Sequence, residues 1–467
     1  MKKTINSWNR VFSCLVCSAL SVLTLANAEA QTTYDIVHQV QADQTLNIRT
    51  QVQYQGSVIA DAAGQQENSR VVPLDVRGQF VFDQRISDSS SSGAQAIRYF
   101  DTASATIKTG QTQSESVLQK DNKLVLSRIK SSKNGNQQFQ VASIAGAIRQ
   151  KEYELLKNPG DPLSYADIFN KTDIKIGEKW KVEKAQLASL LAYDRIVSSS
   201  VNMMLKSVEA NLARVYIFGE AEGVVDDVQT DVTVKAIAQY DLNQKLVTSI
   251  RISMDEERRP GAFAPGFEGK VKLDTQIAKT TPNAMMSKQR LAQLYQGKKI
   301  KFSFLFDRPN TDFQLMHDTD WRVIASEEDE VALRFITNGE LIAQCNITEL
   351  PRRPIDNPLA LSQFQEEVRR IISQSEARIV DAKRLVTPSG YETLKVQVDG
   401  IESNIPFLWT YYHVAAQDGR RLTMVFTVEK DTADLLGAAD QVLLNRLYFK
   451  AARQAATIQS AAGQNRR

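Results

Sequence analysis

The amino-acid sequence predicts an α+β chain: a β-rich N-terminal region forming an antiparallel curved sheet or half-barrel, then a C-terminal α/β sandwich with an antiparallel sheet. Three stretches carry that reading. Val232, Val234, Ala236, Ala238 and Tyr240 alternate with Thr233, Lys235 and Gln239. After the turn Asp241-Leu242-Asn243-Gln244, the run Leu246, Thr248, Ile250, Ile252 and Met254 repeats the same period of two, which is that of a half-buried strand. Second, Asn338-Gly339 between Val331 to Ile336 and Leu341 to Thr348 is the strongest hairpin signal in the chain. Third, Leu361, Phe364, Val368, Ile371 and Ile372 recur at helical spacing after Asn357-Pro358, a cap residue followed by a proline suited to the first helical position.

The N-terminal elements follow in order. Lys2, Lys3 and Arg10 precede an apolar run from Val11 to Leu25, and Ala26-Asn27-Ala28-Glu29-Ala30 comes next. That order of charge, apolar core and small residues is a secretory signal, so residues 1–30 are expected to be removed after Ala28 or Ala30. As a membrane anchor the run is short against the ~20 residues a span needs, and no later segment reaches that length. From Tyr34 to Gln41 and from Leu46 to Tyr54 the chain alternates as strands. Ala60 to Ser69 reads as a loop, and Val71 to Ile86 as a long strand whose Pro73 and Gly78 suggest an edge or a bulge. Further strands are expected at Ile97 to Lys108, Lys123 to Lys130 and Gln138 to Ser143.

Helices are predicted at Arg149 to Lys157, from Asp161-Pro162 to Phe169, and at Lys184 to Ala192. Arg214 to Glu222 opens the meander and Val271 to Ile277 closes it. Glu256 to Lys270, with two prolines and three glycines, is expected to interrupt it as a long loop. One sheet or two β lobes over residues 31–280 both satisfy the pattern. Residues 281–301 read as a linker with a helix at Ala284 to Gln296. Residues 302–450 form the second domain, with strands at Phe313, Trp321, Ile379 to Val386, Glu392 to Val398, Phe407 to Ala415 and Arg421 to Val428. A final helix is capped by Asp431 or Thr432, and residues 451–467 form a polar tail.

Composition narrows the function. A length of 467 residues, 42% hydrophobic and 24% charged, is globular material with room for two or three cores. A net charge of +3 is too small to argue for nucleic acid. With the signal removed, Cys345 is the one cysteine left, so no internal disulfide is possible. An exported protein of this size without disulfides fits a bacterial envelope, periplasmic or extracellular.

Chemistry is sparse. His38, His317 and His413 stand far apart in the sequence. The nucleophile-elbow, zinc-helix, phosphate-loop and dinucleotide glycine motifs are absent from the sequence. Glu327-Glu328-Asp329-Glu330 could hold a hard cation, yet lacks the spaced acid and glycine pattern of a cation loop and reads as a solvated turn. Asp255-Glu256-Glu257-Arg258-Arg259 reads as a self-neutralising loop mouth, and Asp226-Asp227 as a turn. Phe263, Pro265 and Phe267 are either a lid or anchors onto the sheet, with anchoring favoured; Cys345 and His413 read as buried strand residues. No catalytic, cofactor or metal residue is assigned.

Trp321-Arg322-Val323, Leu341 to Ile347, the helix at Leu361, Trp409 to Val414, Leu422 to Thr427 and the closing helix together resemble the PsbP-like and DcrB-like α/β/α sandwich. That resemblance implies an extracytoplasmic binding or assembly factor without established enzymatic activity. The N-terminal half resembles the curved-sheet lipoprotein carriers of the LolA type. The expected function is therefore non-enzymatic binding of a lipid, peptide or envelope protein, with no nucleic acid and no transmembrane segment after signal cleavage. A hydrolase with an unrecognised carboxylate site, or a purely structural envelope component, are the alternatives.

Overall fold

The computed structural model describes residues 32–451 except 42–43, 61–69, 91–92, 132–136, 145, 226–227, 261–264, 296–301, 327–329 and 338–339. The signal, the tail after 451, Asn338-Gly339, Asp226-Asp227, Glu327-Glu328-Asp329 and Phe263 all lie outside the described residues.

The chain opens with β1 (Tyr34–Val37), β2 (Thr45–Ala60), β3 (Arg70–Ser90), β4 (Gly93–Thr109), β5 (Thr112–Val117), β6 (Leu124–Ser131) and β7 (Gln137–Ser143). A mixed stretch follows: α1 (Gln150–Leu156), α2 (Tyr165–Ile168), β8 (Asn170–Ile174), β9 (Lys179–Lys181) and α3 (Lys184–Leu191). Then come β10 (Arg195–Ser199), β11 (Asn202–Glu209), β12 (Leu212–Val225), β13 (Val228–Asp241), β14 (Leu246–Arg258) and β15 (Gly266–Thr280). Thirteen of these strands form one antiparallel sheet with the main order β7-β6-β4-β3-β2-β15-β14-β13-β12-β11-β9. Two meanders thus meet at one seam, where β2 and β15 pair from Thr45↔Thr280 to Ile59↔Gly266.

The seam is held on its dry side by Thr50 and Thr275, whose buried hydroxyls lie 3.0 Å apart. Further along the same face Gly56 sits opposite Gly269, where a Cβ on either would fall within 2.4 Å of facing backbone. Only glycine permits that approach.

Alternation decides which face is dry. Val232, Val234, Ala236, Ala238 and Tyr240 of β13 are buried, and Ile250, Ile252 and Met254 of β14 join them. Against this face lie the helices of residues 150–191, whose Tyr153, Leu156, Tyr165, Phe169, Leu187 and Leu191 enter the same apolar cluster. Gly160 makes the closest approach. It has φ +71, its N–H donates to Leu190 O at 2.6 Å, and a Cβ there would meet Leu273 at 2.9 Å. Asp161 beside it accepts two hydrogen bonds from the Arg98 guanidinium of β4, at 2.8 and 2.5 Å, and also caps the next turn through Leu163 N–H at 2.9 Å. Arg98 is 2% exposed. The Phe82 and Phe139 rings flank its guanidinium, and Gln84 takes its Nε–H at 2.8 Å.

The remaining chain contributes α4 (Lys288–Tyr295), β16 (Phe304–Asp307), β17 (Phe313–His317), β18 (Trp321–Ser326), β19 (Glu330–Thr337), β20 (Glu340–Leu350) and α5 (Leu361–Ile371). It ends with β21 (Glu376–Val386), β22 (Glu392–Glu402), β23 (Ile405–Ala415), β24 (Arg421–Glu429), α6 (Ala433–Leu436), α7 (Ala439–Leu444) and β25 (Leu447–Phe449). A seven-stranded antiparallel sheet runs β18-β19-β20-β24-β23-β22-β21, and β16-β17-β25 make a small sheet beside it. One apolar cluster gathers Trp321, Tyr412, Phe426 and Leu443; another gathers Phe364 and Val368 of α5 with Val396, Val398 and Trp409. Polar contacts join this part to the first sheet. Gln150 donates to Val323 O at 3.1 Å and accepts from Val323 N–H at 2.7 Å. Asp194 lies between Lys157 at 3.3 Å and Arg322 at 3.4 Å.

The α+β expectation is corrected. Of the described residues 61% are strand and 16% helix, in several antiparallel sheets, so the structure is mainly β. The strand share grew where loops were expected: β14 continues to Arg258 and β15 begins at Gly266, since Glu256 is buried against Arg258 at 2.6 Å and Phe267 is packed in the core. Helix content fell for two reasons. The helix expected from Pro358 begins only at Leu361, and the closing helix breaks at Gly437, with φ 54. Gly78 occupies an interior strand, paired with Val52 of β2 and Ala105 of β4, whereas Pro73 precedes the first pair with β4 at Leu74 and is paired with β2 alone, an edge position.

Removing one partner of a buried ion pair leaves a charge without compensation, at a cost of about 3–5 kcal/mol. Arg98→Met should lower unfolding free energy by that amount in urea titration, and Arg98→Met with Asp161→Leu by clearly less than the two single changes summed. A single-variant loss under about 1 kcal/mol would show that the pair is solvated.

Candidate functional site

The opposite face of the large sheet is wet and hollow. Side chains from β4, β3, β2, β15, β14, β13 and β12 line one trough of about 1150 Å³. Because adjacent strands lie only ~4.8 Å apart, Ser104 of β4 and Tyr216 of β12 share a hollow only if the sheet curves around it.

Register sets the chemistry in rows that run across the strands. The central row is Phe218, Lys235, Ser253, Lys272, Gln53, Arg77 and Thr106, each directly opposite the next. The next row is Tyr216, Ile237, Arg251, Asp274, Gln51, Gln79 and Ser104. Arg251 is satisfied by Asp274 at 2.8 Å, and Arg77 by Asp75 at 3.0 Å. Lys235 and Lys272 are exposed and form no ion pair with any described residue. Half-buried Phe218 offers its ring to the Lys179 ammonium at 5.5 Å.

Toward one end the sign changes. Glu222, Asp231, Glu257 and Glu268 are successive cross-strand neighbours on four strands, lining a second hollow of about 1070 Å³ with Glu220 and Asp255. Like charges directly opposite one another cost stability. Here that cost is only partly offset: Arg259 reaches Asp231 at 3.7 Å, and Gln229 donates to Glu222 at 2.5 Å. Beyond the other end, Asn47, Arg49, Gln239 and Gln276 line a neutral-to-basic hollow of about 540 Å³. One continuous polar face therefore carries an acidic mouth, a basic middle and an amide-rich far end.

Part of the chain is similar to a PsbP structure. The solution structure of cyanobacterial PsbP from Synechocystis is 14% identical, covering 32% of this chain and 92% of that one, with a TM-score of 0.25. A Pseudomonas aeruginosa protein of unknown function, described as a putative regulator, is 8% identical over 32% of this chain and 98% of its own, with a TM-score of 0.21. An outer membrane channel from Pseudomonas putida is 6% identical over 84% of this chain and 97% of its own, with a TM-score of 0.14. No family model and no curated protein matches the chain. The LolA-type resemblance of the N-terminal half is not among these likenesses.

The residues singled out in the sequence are not brought together. His38, His317 and His413 are each buried in separate places. His38 Nδ1 accepts from Val247 N–H at 3.1 Å, and burial holds its pKa down to about 4. Burial, then the positive charges of Arg421 and Arg353, does the same for His413. Burial also lowers His317, whose Nδ1 lies 2.9 Å from Trp321 O. Cys345 is fully buried and its thiol is pushed well up by burial, which makes it inert. Phe267 anchors in the core, and Glu256 faces that core beside Arg258, so residues 255–258 of the charged run are strand, not loop mouth. Among the described residues no group of three or more His, Cys, Asp or Glu is arranged to hold a metal ion.

Besides Arg98 and Asp161, sequence reading missed a buried polar group in the second sheet. Tyr412 donates to Asp440 at 2.7 Å, and Lys395 lies 4.0 Å from the same carboxylate. Burial lowers the Lys395 ammonium, with Asp440 opposing, and raises the Tyr412 phenol. All three are under a tenth exposed and lie inside the second sheet's packing, so they cross-link α7 to β22 and β23 and offer no reacting group to solvent. The trough had a visible signal: Lys235, Arg251 and Lys272 share the wet phase of three consecutive predicted strands.

Acid sensitivity follows from the histidines. An unfolded imidazole takes its proton near pH 6.5, whereas folded His38 and His413 take theirs only near 4. Their contribution is therefore complete above pH 6.5 and is lost as pH falls from 6.5 to 4, by about 3 kcal/mol per ring at most. The urea midpoint should fall steeply across that window, and His38→Gln with His413→Gln should flatten the slope. An unchanged slope in the double variant would contradict it.

Proposed function

We propose that this chain is an exported, non-enzymatic binding protein of the bacterial envelope and that the wet trough, not the interior, is its working surface. The observation that carries the reading is the pair Lys235 and Lys272, exposed at the centre of a trough seven strands wide with no counter-ion among the described residues. A lysine facing solvent on a flat sheet is ordinary. Two of them flanking Ser253 in a concave, amide-rich row form a recognition surface, because a concave wall lets several groups meet one ligand.

The opposite face argues against a lipid cargo held inside. Among the described residues fifty buried apolar ones, from that face and from the helices over it, form one continuous packed cluster, so an acyl chain would have to displace packed side chains. The ligand is then polar or charged. No described helix is long and apolar enough to cross a membrane, and the charge, apolar and small-residue order of residues 1–30 supports export.

A photo-crosslinking side chain at Gln53, in the trough, should capture an envelope component in living cells, while the same group at exposed Lys383 should not. Reversing the central charge with Lys235→Glu and Lys272→Glu should reduce capture at Gln53 by about tenfold or more. Equal capture at both positions, or none in the trough, would refute the reading, as would finding the intact chain in the cytoplasmic fraction with its N-terminus uncleaved.

A further inference from the structure

We infer that the trough takes an extended acidic polysaccharide in which charged and neutral sugar units alternate; this rests on the trough reading above and names the chemistry of its ligand. The evidence is the order of the central row. Lys235, Lys272 and Arg77 occupy every second strand, with Ser253 and Gln53 between them. Adjacent strands are ~4.8 Å apart, so the cations recur about every 10 Å across the sheet. Between them stand a hydroxyl and an amide, which donate and accept but carry no charge. A chain laid across the strands meets an open cation, a neutral group, a second open cation, a second neutral group, and then Arg77, whose charge Asp75 already offsets.

The flanks of that row fit sugar rings. Phe218 and Tyr216 lie two residues apart on the same face of β12 and close one end of the trough with half-buried aromatic surface. Gln51 and Gln79 sit opposite each other one row over, in reach of the same ligand. Amides and hydroxyls in this density suit a partner rich in hydroxyl groups.

Charge argues against denser polyanions and against peptides. A nucleic acid carries a phosphate on every unit, more than the two open lysines can match, and the acidic row Glu222, Asp231, Glu257 and Glu268, parallel to the central row on the same four strands, repels a polyanion broad enough to reach it. An extended peptide that binds by strand addition needs an unpaired strand edge, whereas every strand along the trough's central row is paired on both sides. The two lysines do different work from the arginines. Arg77 and Arg251 already hold carboxylates at 3.0 and 2.8 Å, so they shape the floor, while Lys235 and Lys272 remain open to a carboxylate of the ligand.

The test uses the full mature chain with Ser253→Cys carrying an environment-sensitive dye; the native thiol of Cys345 is buried and does not compete for label. The probes are a hyaluronan octasaccharide, a chitin oligosaccharide of equal length, a single-stranded DNA oligomer, and an envelope extract. A saturable response to hyaluronan is expected. It should weaken about tenfold or more with Lys235→Gln and Lys272→Gln and with added salt, while the neutral glycan and DNA bind at least about tenfold less tightly. Unchanged thermal unfolding of the lysine variant shows that the loss is not misfolding. DNA or chitin binding as well as hyaluronan, or indifference to the lysine changes, overturns the inference. A response to the extract but not to hyaluronan overturns the ligand class and leaves the trough standing as a binding surface; silence toward both overturns the two together.

Discussion

Arg98 and Asp161 hold the two layers of the large domain in one arrangement. An arginine 2% exposed can survive burial only when its planar head is filled on every side, and here a bidentate carboxylate, the Gln84 amide and two aromatic rings do so. Hydrophobic contact alone would let the helices of residues 150–191 slide over the sheet, since apolar burial has no direction. The ion pair has direction. It fixes Asp161, Asp161 caps the following turn, and Gly160 is thereby seated against Leu273.

With the dry face closed in this way, the sheet has only one surface left to offer. The inward residues of β13 and β14 are used in packing, and the outward ones face solvent, some held by ion pairs such as Arg251 with Asp274 and others, such as Lys235, open. The division between stability and function therefore follows the strand period. Residues one step apart, such as Ala236 and Lys235, belong to different problems: the first fills the core and the second faces the trough. The like-charge ladder at the acidic mouth fits the same division, because residues on the wet face are free of packing demands and tolerate an arrangement that favours no fold.

Much of the meander was legible because β12 to β15 alternate without interruption, and the alternation alone assigns each residue to a face. What was not legible depended on contacts between distant positions. Glycines and prolines at 260–269 read as a loop, yet Glu256 finds Arg258 and Phe267 finds the core, and both keep the chain extended. The α+β class failed for the same reason, and also because a stripe of apolar residues after Asp431 does not reveal that Gly437 will turn the chain. Arg98 lay unnoticed in a strand pattern, since its partner is 63 residues away. The trough is a property of neighbouring strands read side by side, and a single strand contains none of it.

The seam between β2 and β15 carries a kinetic consequence. Thr50 and Thr275 are 225 residues apart, so about three-fifths of the polypeptide must be synthesised before β15, which borders β2 on the side away from β3, exists. Until then β2 is a sixteen-residue ribbon with one unpaired edge, a template for intermolecular pairing, and long-range closure of this kind is slow. A chain made N-terminus first waits in that half-made state until β15 arrives to close the seam.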